Sequence, residues 1–434
     1  MANILVAASP APGHVNPMLA VAQHLHSLGH SITFLSGTLF HDRAAALGFR
    51  FVPLSGKADY NYMRVYEEFP EIATAQPGPE AMNATCIYTG IDPLPDQYRA
   101  VRQILSETRT DLIVTDVYFW GVFPMLLGPK DARPPVLTFG VLPLMLSSRD
   151  VSPFSGPDTS PDGLLRNHRE TQQLLAAMQP STAHFNQVLR SCGAPELPEF
   201  FMDCAHHLPD RFLQLTAEAF EYPRSDMKES IQFIGNLMPR AQRKNSMPVW
   251  WNTLENSKPL ILVTQGTIAN WDLSQLIEPT IAALENEQMT VVVAAGRSDL
   301  EAISLPQGRP PDNTKIENFI PFEHILPKVD VFVTNGGFGA VNLALSKGVP
   351  MVVAGDTEDK IFTAGRVSWT ETGINLGTGR PTSEQIRTAV YAVLGDRRYK
   401  KNAAKLQRDF ARYNAFDLIK KTLQSLLCRN TEVV

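Results

Sequence analysis

The strongest constraint on this chain is a rhythm that occurs twice. Short apolar runs of strand type alternate with stretches of helical spacing. Asn3 to Ala8 (NILVAA) reads as a buried strand. Pro17 to Leu28 then places Leu19, Val21, Ala22, Leu25 and Leu28 on one helical face, and Gly29 stops it. Ser31 to Ser36, Asp111 to Thr115 (DLIVT) and Pro135 to Phe139 (PVLTF) continue the series of strands. The pattern restarts at Pro259 to Thr264 (PLILVT), Met289 to Ala294 (MTVVVA), Val331 to Thr334 and Met351 to Ala354. Strand, helix and strand with short connections build βαβ units, and so parallel sheets covered by helices. The expected class is α/β, with two doubly wound Rossmann-like domains.

The first domain is expected over 1–236, a linker over 237–258, the second domain over 259–405 and a helical tail over 406–434. The linker is polar, has no clean period and carries Trp250 and Trp251. A helix starting near Asp272 has Gln275 placed for a capping box, while Pro279 demands a kink or a later start. Segments 56–100 and 148–185 are less regular and rich in Pro, Tyr, Met and Phe, fitting either functional loops or surface decoration.

At 434 residues the chain exceeds one ordinary core, and 44% hydrophobic with 19% charged residues suits globular packing. A formal charge of −5 without long single-sign blocks gives no reason to expect nucleic acid or an anionic membrane surface. Cys86, Cys192, Cys204 and Cys428 form no CxxC pair, which points to reduced thiols and a cytoplasmic setting. MANILVAASP lacks a basic signal-peptide region, and no apolar run approaches the roughly 20 residues of a membrane span.

In open parallel sheets, ligands bind beyond the carboxyl ends of the strands. Asn335-Gly336-Gly337 lies at such an end and opens a helix, where bare backbone and the positive helix N-terminus suit an anion, above all a phosphate. Gln265-Gly266-Thr267 follows PLILVT in the same way. Each turn alone also fits a plain tight turn. The spacing is neither G-x-G-x-x-G nor a GKS/GKT loop, which argues against a nicotinamide dehydrogenase. Glu358 and Asp359 can cap the helix expected from about 359 to 370, and a rival reading takes Asp356, Glu358 and Asp359 as metal ligands.

His14 follows the first strand, and Asp116 ends DLIVTD. Two strand ends of one sheet can bring such residues to the same rim. A carboxylate bonded to one imidazole nitrogen fixes the tautomer and leaves the other nitrogen to take a proton. A structural histidine and an N-cap aspartate fit the same positions.

The motifs PGHVNP, DLIVTD, FIGNL, QGT, FIPFEHILPKVD and VTNGGFGAVNLALSKGVPMVVAGDTEDK together span nearly the whole chain. In these the sequence resembles the GT-B-fold UDP-glycosyltransferases that modify small lipophilic acceptors. The resemblance implies two domains facing a central cleft, acceptor first and donor second. It implies inverting transfer, with a UDP-sugar (UDP-glucose by default) as co-substrate and no metal. It makes His14 the general base and Asp116 its partner. Gly266, Thr267, Asn335, Gly337, Gly339 and Ala340 would hold the diphosphate, with Arg297 nearby. Phe319 would stack on the base, or else lie in the core, and Ile320 would pair the base edge through its backbone. Glu358, Asp359 and Lys360 would meet the sugar.

Three departures stand out. Asn335 replaces the family's His, Gly339-Ala340 its Asn-Ser, and Lys360 its final Gln. They shift the phosphate contacts toward backbone, and Lys360 reaches either a sugar hydroxyl or a neighbouring carboxylate. Asn335 keeps an amide able to donate to phosphate. Met63, Phe119, Trp120, Leu142 and Met145, lying after strand ends or in the irregular early segment, are the candidates for a greasy acceptor. A nucleotide-sugar isomerase or epimerase, and a non-catalytic nucleotide-sugar-binding partner, are the alternative functions.

Overall fold

The computed structural model describes residues 1–76, 78–237, 247–254, 257–266, 270, 272–297, 300, 303–305 and 308–429. The chain divides into two compact units. The first comprises Met1–Leu215, Tyr222–Leu237 and Asn414–Val434; the second comprises Thr216–Glu221 and Met238–Tyr413.

The first unit is built on β1 (Asn3–Ala7), β2 (Ser31–Ser36), β3 (Arg50–Pro53), β4 (Leu112–Asp116), β5 (Val136–Gly140), a small hairpin β6 (Val151–Ser152) and β7 (Gly156–Pro157), then β8 (Arg211–Gln214) and β9 (Ile231–Phe233). Its parallel sheet runs β3-β2-β1-β4-β5-β8-β9. β4 and β5 are buried along their whole length, which is why they read as unbroken apolar runs rather than alternations.

Two expectations are corrected here. The first helix covers Pro12–Ser27, so His14 stands in its first turn, not in a turn ahead of it. Pro12 sits where a missing N–H costs nothing and its fixed φ suits a helix start. The segments over 56–100 and 148–185 are largely helical, including Pro79–Cys86, Leu94–Glu107, Pro161–Ala177 and Gln179–Ser191. Prolines that read as breakers stand at the first or second positions of these helices.

The second unit holds β10 (Leu260–Thr264), β11 (Thr290–Ala294), β12 (Thr314–Glu317), β13 (Val331–Thr334), β14 (Met351–Val353) and β15 (Gly373–Asn375), all parallel, in the order β12-β11-β10-β13-β14-β15. Alternate residues feed separate cores on the two faces. Leu260, Leu262, Val292 and Phe332 go to one; Ile261, Val263, Val291 and Val331 go to the other. The helix after β10 begins at Ile277, the later start that Pro279 allows. Gln275 does not box it: the buried Gln265 side chain accepts from the Leu276 and Ile277 N–H groups instead.

The unit boundaries differ from the expected ones at three places. Trp250 and Trp251, placed in the linker, pack on the second unit's core, and Trp250 Nε1 donates to Glu317 Oε1 at 2.6 Å. The helix Arg397–Phe410 belongs to the second unit, so the return to the first comes at Asn414 and not at 406. The helix that follows, Ala415–Arg429, meets the first helix where His24 Nε2 donates to the Phe416 carbonyl at 3.1 Å. Thr216–Glu221, although it lies between β8 and β9, is grouped with the second unit. Its Glu221 forms a buried ion pair with Arg366, and its Thr216 hydroxyl bonds the Asn342 side chain.

Candidate active site

In each sheet the strand order reverses once, between β1 and β4 in the first and between β10 and β13 in the second. At such a switch point the connections leave in opposite directions and open a crevice at the carboxyl ends of the strands. His14 and Asp116 lie at the first of these places, and Gly266, Asn335 and Gly337 at the second.

In the first unit, His14 Nδ1 lies 2.7 Å from Asp116 Oδ1. Asp116 ends β4, and its carboxylate is inaccessible, whereas the His14 side chain keeps 13% of its surface. Burying a carboxylate is costly unless its oxygens are bonded. Here Ser9 N–H donates to Oδ2 at 2.7 Å, Tyr118 N–H to Oδ1 at 2.8 Å and Ser9 Oγ to Oδ1 at 3.3 Å. A carboxylate only accepts, so Nδ1 carries the imidazole hydrogen and Nε2 is the basic nitrogen. The Tyr118 ring is tilted against His14 at 5.9 Å between centroids.

In the second unit, Gly337 precedes the helix Phe338–Ser346 without a side-chain cap, so the first-turn N–H groups at 338–340 have no intrahelical acceptor. A Cβ on Gly339 would meet nothing within 4 Å, and one on Gly337 only Asn335 Oδ1 at 4.0 Å. Gly336 and Gly355 differ. Gly336 has φ +88° with Val353 Cγ1 2.7 Å from a Cβ, and at Gly355 the Asn335 carbonyl oxygen would lie 2.0 Å away. Asn335 Nδ2 donates to the Gln265 carbonyl, joining the turns after β10 and β13. A cavity of about 180 Å³ lies at these strand ends, lined by Gln265, Asn335, Gly355, Asp356, Lys360 and Arg380 among others.

Residues 278–424 match the family described as "Erythromycin biosynthesis protein CIII-like, C-terminal domain". UDP-glycosyltransferase 2 of Phaeomoniella chlamydospora is 35% identical, covering 98% of this chain and 95% of its own. UDP-glucosyltransferase B1 of Starmerella bombicola is 31% identical over 98% of both. The chain belongs to the UDP-glycosyltransferase family. The crystal structure of the kitacinnamycin glycosyltransferase superposes with a TM-score of 0.74 at 21% identity, covering 98% of this chain and 99% of that one. The fold is GT-B, and the protein is a UDP-dependent glycosyltransferase taking a nucleotide-sugar donor and a small-molecule acceptor.

Several of the residues singled out from the sequence occupy other roles in this glycosyltransferase. Phe119 and Trp120 are core residues, not acceptor contacts. Phe119 packs with Leu5, Ala7 and Val101, and Trp120 is enclosed by Phe123, Phe185 and Phe201 with its Nε1 donating to the Val117 carbonyl. The turn after β4 folds back into 3-10 geometry at Trp120–Val122, which drives these rings inward. Met63 is exposed, and Leu142 and Met145 are half-buried. One N–H of the Asn335 amide is engaged by the Gln265 carbonyl, which ties the side chain to the turn after β10. Phe319 is 59% exposed, beside a fully buried Ile320 that anchors it. Gly266 has φ +75° at the end of β10, Ala340 is half-buried, and Thr267 lies outside the described residues.

Arg297 donates to the Asn270 carbonyl at 3.1 Å. Lys360 is buried and ion-paired with Glu358, which adopts φ +55°. Asp359 is the N-cap residue of the helix Lys360–Trp369, yet makes no side-chain cap bond. Asp356 accepts from Gly379 N–H at 2.8 Å.

Sequence reasoning missed Ser9, Tyr118 and Asn270. The Asn270 amide bonds the carbonyls of Gly266, Ala295 and Gly296 and so ties the ends of β10 and β11. Tyr118 stands two residues after Asp116, and that spacing was its only signal. Among the described residues, no group of three or more His, Cys, Asp or Glu side chains is placed to hold a metal, and no helix is long and apolar enough to cross a membrane.

Proposed function

We propose that the protein transfers glucose from UDP-glucose, with inversion, to a hydroxyl of a lipophilic small molecule such as a polyphenol, macrolide or sterol. His14 Nε2 takes the proton of the acceptor hydroxyl as that oxygen attacks the anomeric carbon and the bond to the diphosphate breaks. Asp116 holds the tautomer and stabilises the imidazolium that forms. The diphosphate leaves toward the helix N-terminus at 337–340, whose N–H groups stabilise its growing charge, with the bare backbone of Gly266 allowing close approach, and no metal is required. Phe319 stacks on uracil, and Asp359 accepts from sugar hydroxyls.

The observation that carries this reading is the 2.7 Å His14–Asp116 contact at the switch point of the first sheet. The glucose assignment is supported by the relative named as a UDP-glucosyltransferase. Metal independence is supported by the occupation of Asp356 by Gly379 N–H and of Glu358 by Lys360. For the acceptor, Met63, Leu142 and Met145 are the apolar candidates, and the early segment also carries a run of rings in which Tyr60 meets Tyr62 at 6.4 Å and Phe69 at 5.6 Å, and Phe69 meets Tyr88 at 5.9 Å.

The test is turnover of UDP-glucose with a panel of phenolic and macrolide acceptors, with and without EDTA, for wild type and His14→Ala. Product that persists in EDTA and falls about 10³-fold in the variant is expected. Undiminished product in His14→Ala removes the base. Donor consumption without an acceptor indicates an isomerase.

A further inference from the structure

The structure assigns Tyr118 as the positioning residue of His14, braced from behind by Thr89 in the π-helical turn Ile87–Ile91. This rests on His14 being the base. The ring of Tyr118 lies against the imidazole at 5.9 Å, and its N–H bonds the same Asp116 oxygen that holds Nδ1. One residue therefore sets two of the constraints on the dyad.

Its own orientation is fixed at the far end. The Tyr118 hydroxyl lies 3.3 Å from Thr89 Oγ1. Thr89 Oγ1 already donates to the Thr85 carbonyl at 2.7 Å, so in this contact it can only accept from the phenol, which also meets the Cys86 thiol. The turn carrying Thr89 is held in turn, since Tyr60 Oη donates to the Thr89 carbonyl at 2.8 Å. Trp120 packs its ring against that of Tyr118 at 4.4 Å between centroids. It approaches the turn so closely that a Cβ on Gly90 would fall 2.5 Å from its ring.

Single π-turns inside helices occur frequently at functional sites, and this one carries Thr89. Burial pushes the Tyr118 and Tyr60 hydroxyls well above the ordinary phenol range and the Cys86 thiol up to about 12. The groups behind His14 thus stay neutral at working pH and offer the imidazole a strut and no competing base.

A double-mutant cycle tests the strut: Tyr118→Phe, Thr89→Val and the pair together, beside His14→Ala, with melting temperature, donor KM and the pH profile of kcat/KM recorded for each. Both single variants preserve volume. Each is expected to lower kcat about ten-fold, with donor KM unchanged and the acidic limb of the profile displaced, because a small misplacement of a base is costly. The double variant should be no worse than either single one, since one strut can be removed only once. Losses that multiply, or wild-type kcat and pH profile in all three with His14→Ala inactive, would overturn the strut and leave the base standing. An active His14→Ala removes both.

Discussion

The two switch points do similar work with different materials. On the proposed mechanism, the first rests on side chains: one imidazole, one buried carboxylate and the donors that surround it. At the second, the turns after β10 and β13 offer mainly backbone, and the side chains present chiefly bind each other, as Lys360 binds Glu358 and Asn335 binds the Gln265 carbonyl. Proton transfer needs a titratable atom in one place. A diphosphate needs several N–H groups in an arc, which the main chain supplies whatever the side chains are. If the second site is the proposed diphosphate cradle, a backbone-built site can do without the side chains that the family resemblance implies at 335, 339 and 340.

The contrast makes graded predictions. The largest effect belongs to the first site. Asp116→Ala should lower kcat about 10³-fold and, by leaving the Ser9 and Tyr118 N–H groups buried without an acceptor, cost ~2–3 kcal/mol of stability. Denaturant unfolding beside initial rates checks this, and near-normal turnover would break the contrast at its root. Next come the glycines of the second site. Gly355→Ala should destabilise by ~2–4 kcal/mol, because the atom in its way is backbone. Gly339→Ala should stay within ~0.5 kcal/mol, because its Cβ meets nothing. Equal effects at the two positions would mean that the cradle is not divided into a packed side and an open side. The smallest change falls on the exposed platform. Phe319→Ala should weaken UDP binding about ten-fold by calorimetry with no change in melting temperature, and Phe319→Trp should restore it. Unchanged UDP affinity would take the stacking role from Phe319.

Legibility in the sequence followed burial. The central strands β1, β4, β5, β10, β11 and β13 announce themselves because both faces are covered and most positions are apolar. β3, β9, β12 and β15 are sheet edges of three or four residues, and β3 and β12 are written RFVP and TKIE, with charged residues that an edge tolerates and a centre would not. His14 and Asp116 were readable because they adjoin central strands. Ser9 and Tyr118 were not, because they act through backbone N–H groups or a ring face that no residue pattern encodes. Phe119 and Trp120 misled for a related reason: after a strand end an aromatic can turn to the rim or back to the core, and only the 3-10 turn at Trp120–Val122 decides.

The segment Thr216–Glu221 bears on how such enzymes can be recombined. The obvious crossover for a chimera, near residue 237, would separate Glu221 from Arg366 and Thr216 from Asn342, although each pair lies inside the second unit. A graft that brings a foreign residue opposite Arg366 deprives a buried guanidinium of its carboxylate, a defect of ~3–5 kcal/mol. Exchangeable parts are therefore not contiguous stretches of gene. A donor half transplanted with its own 216–221 should fold where one cut cleanly at the linker does not.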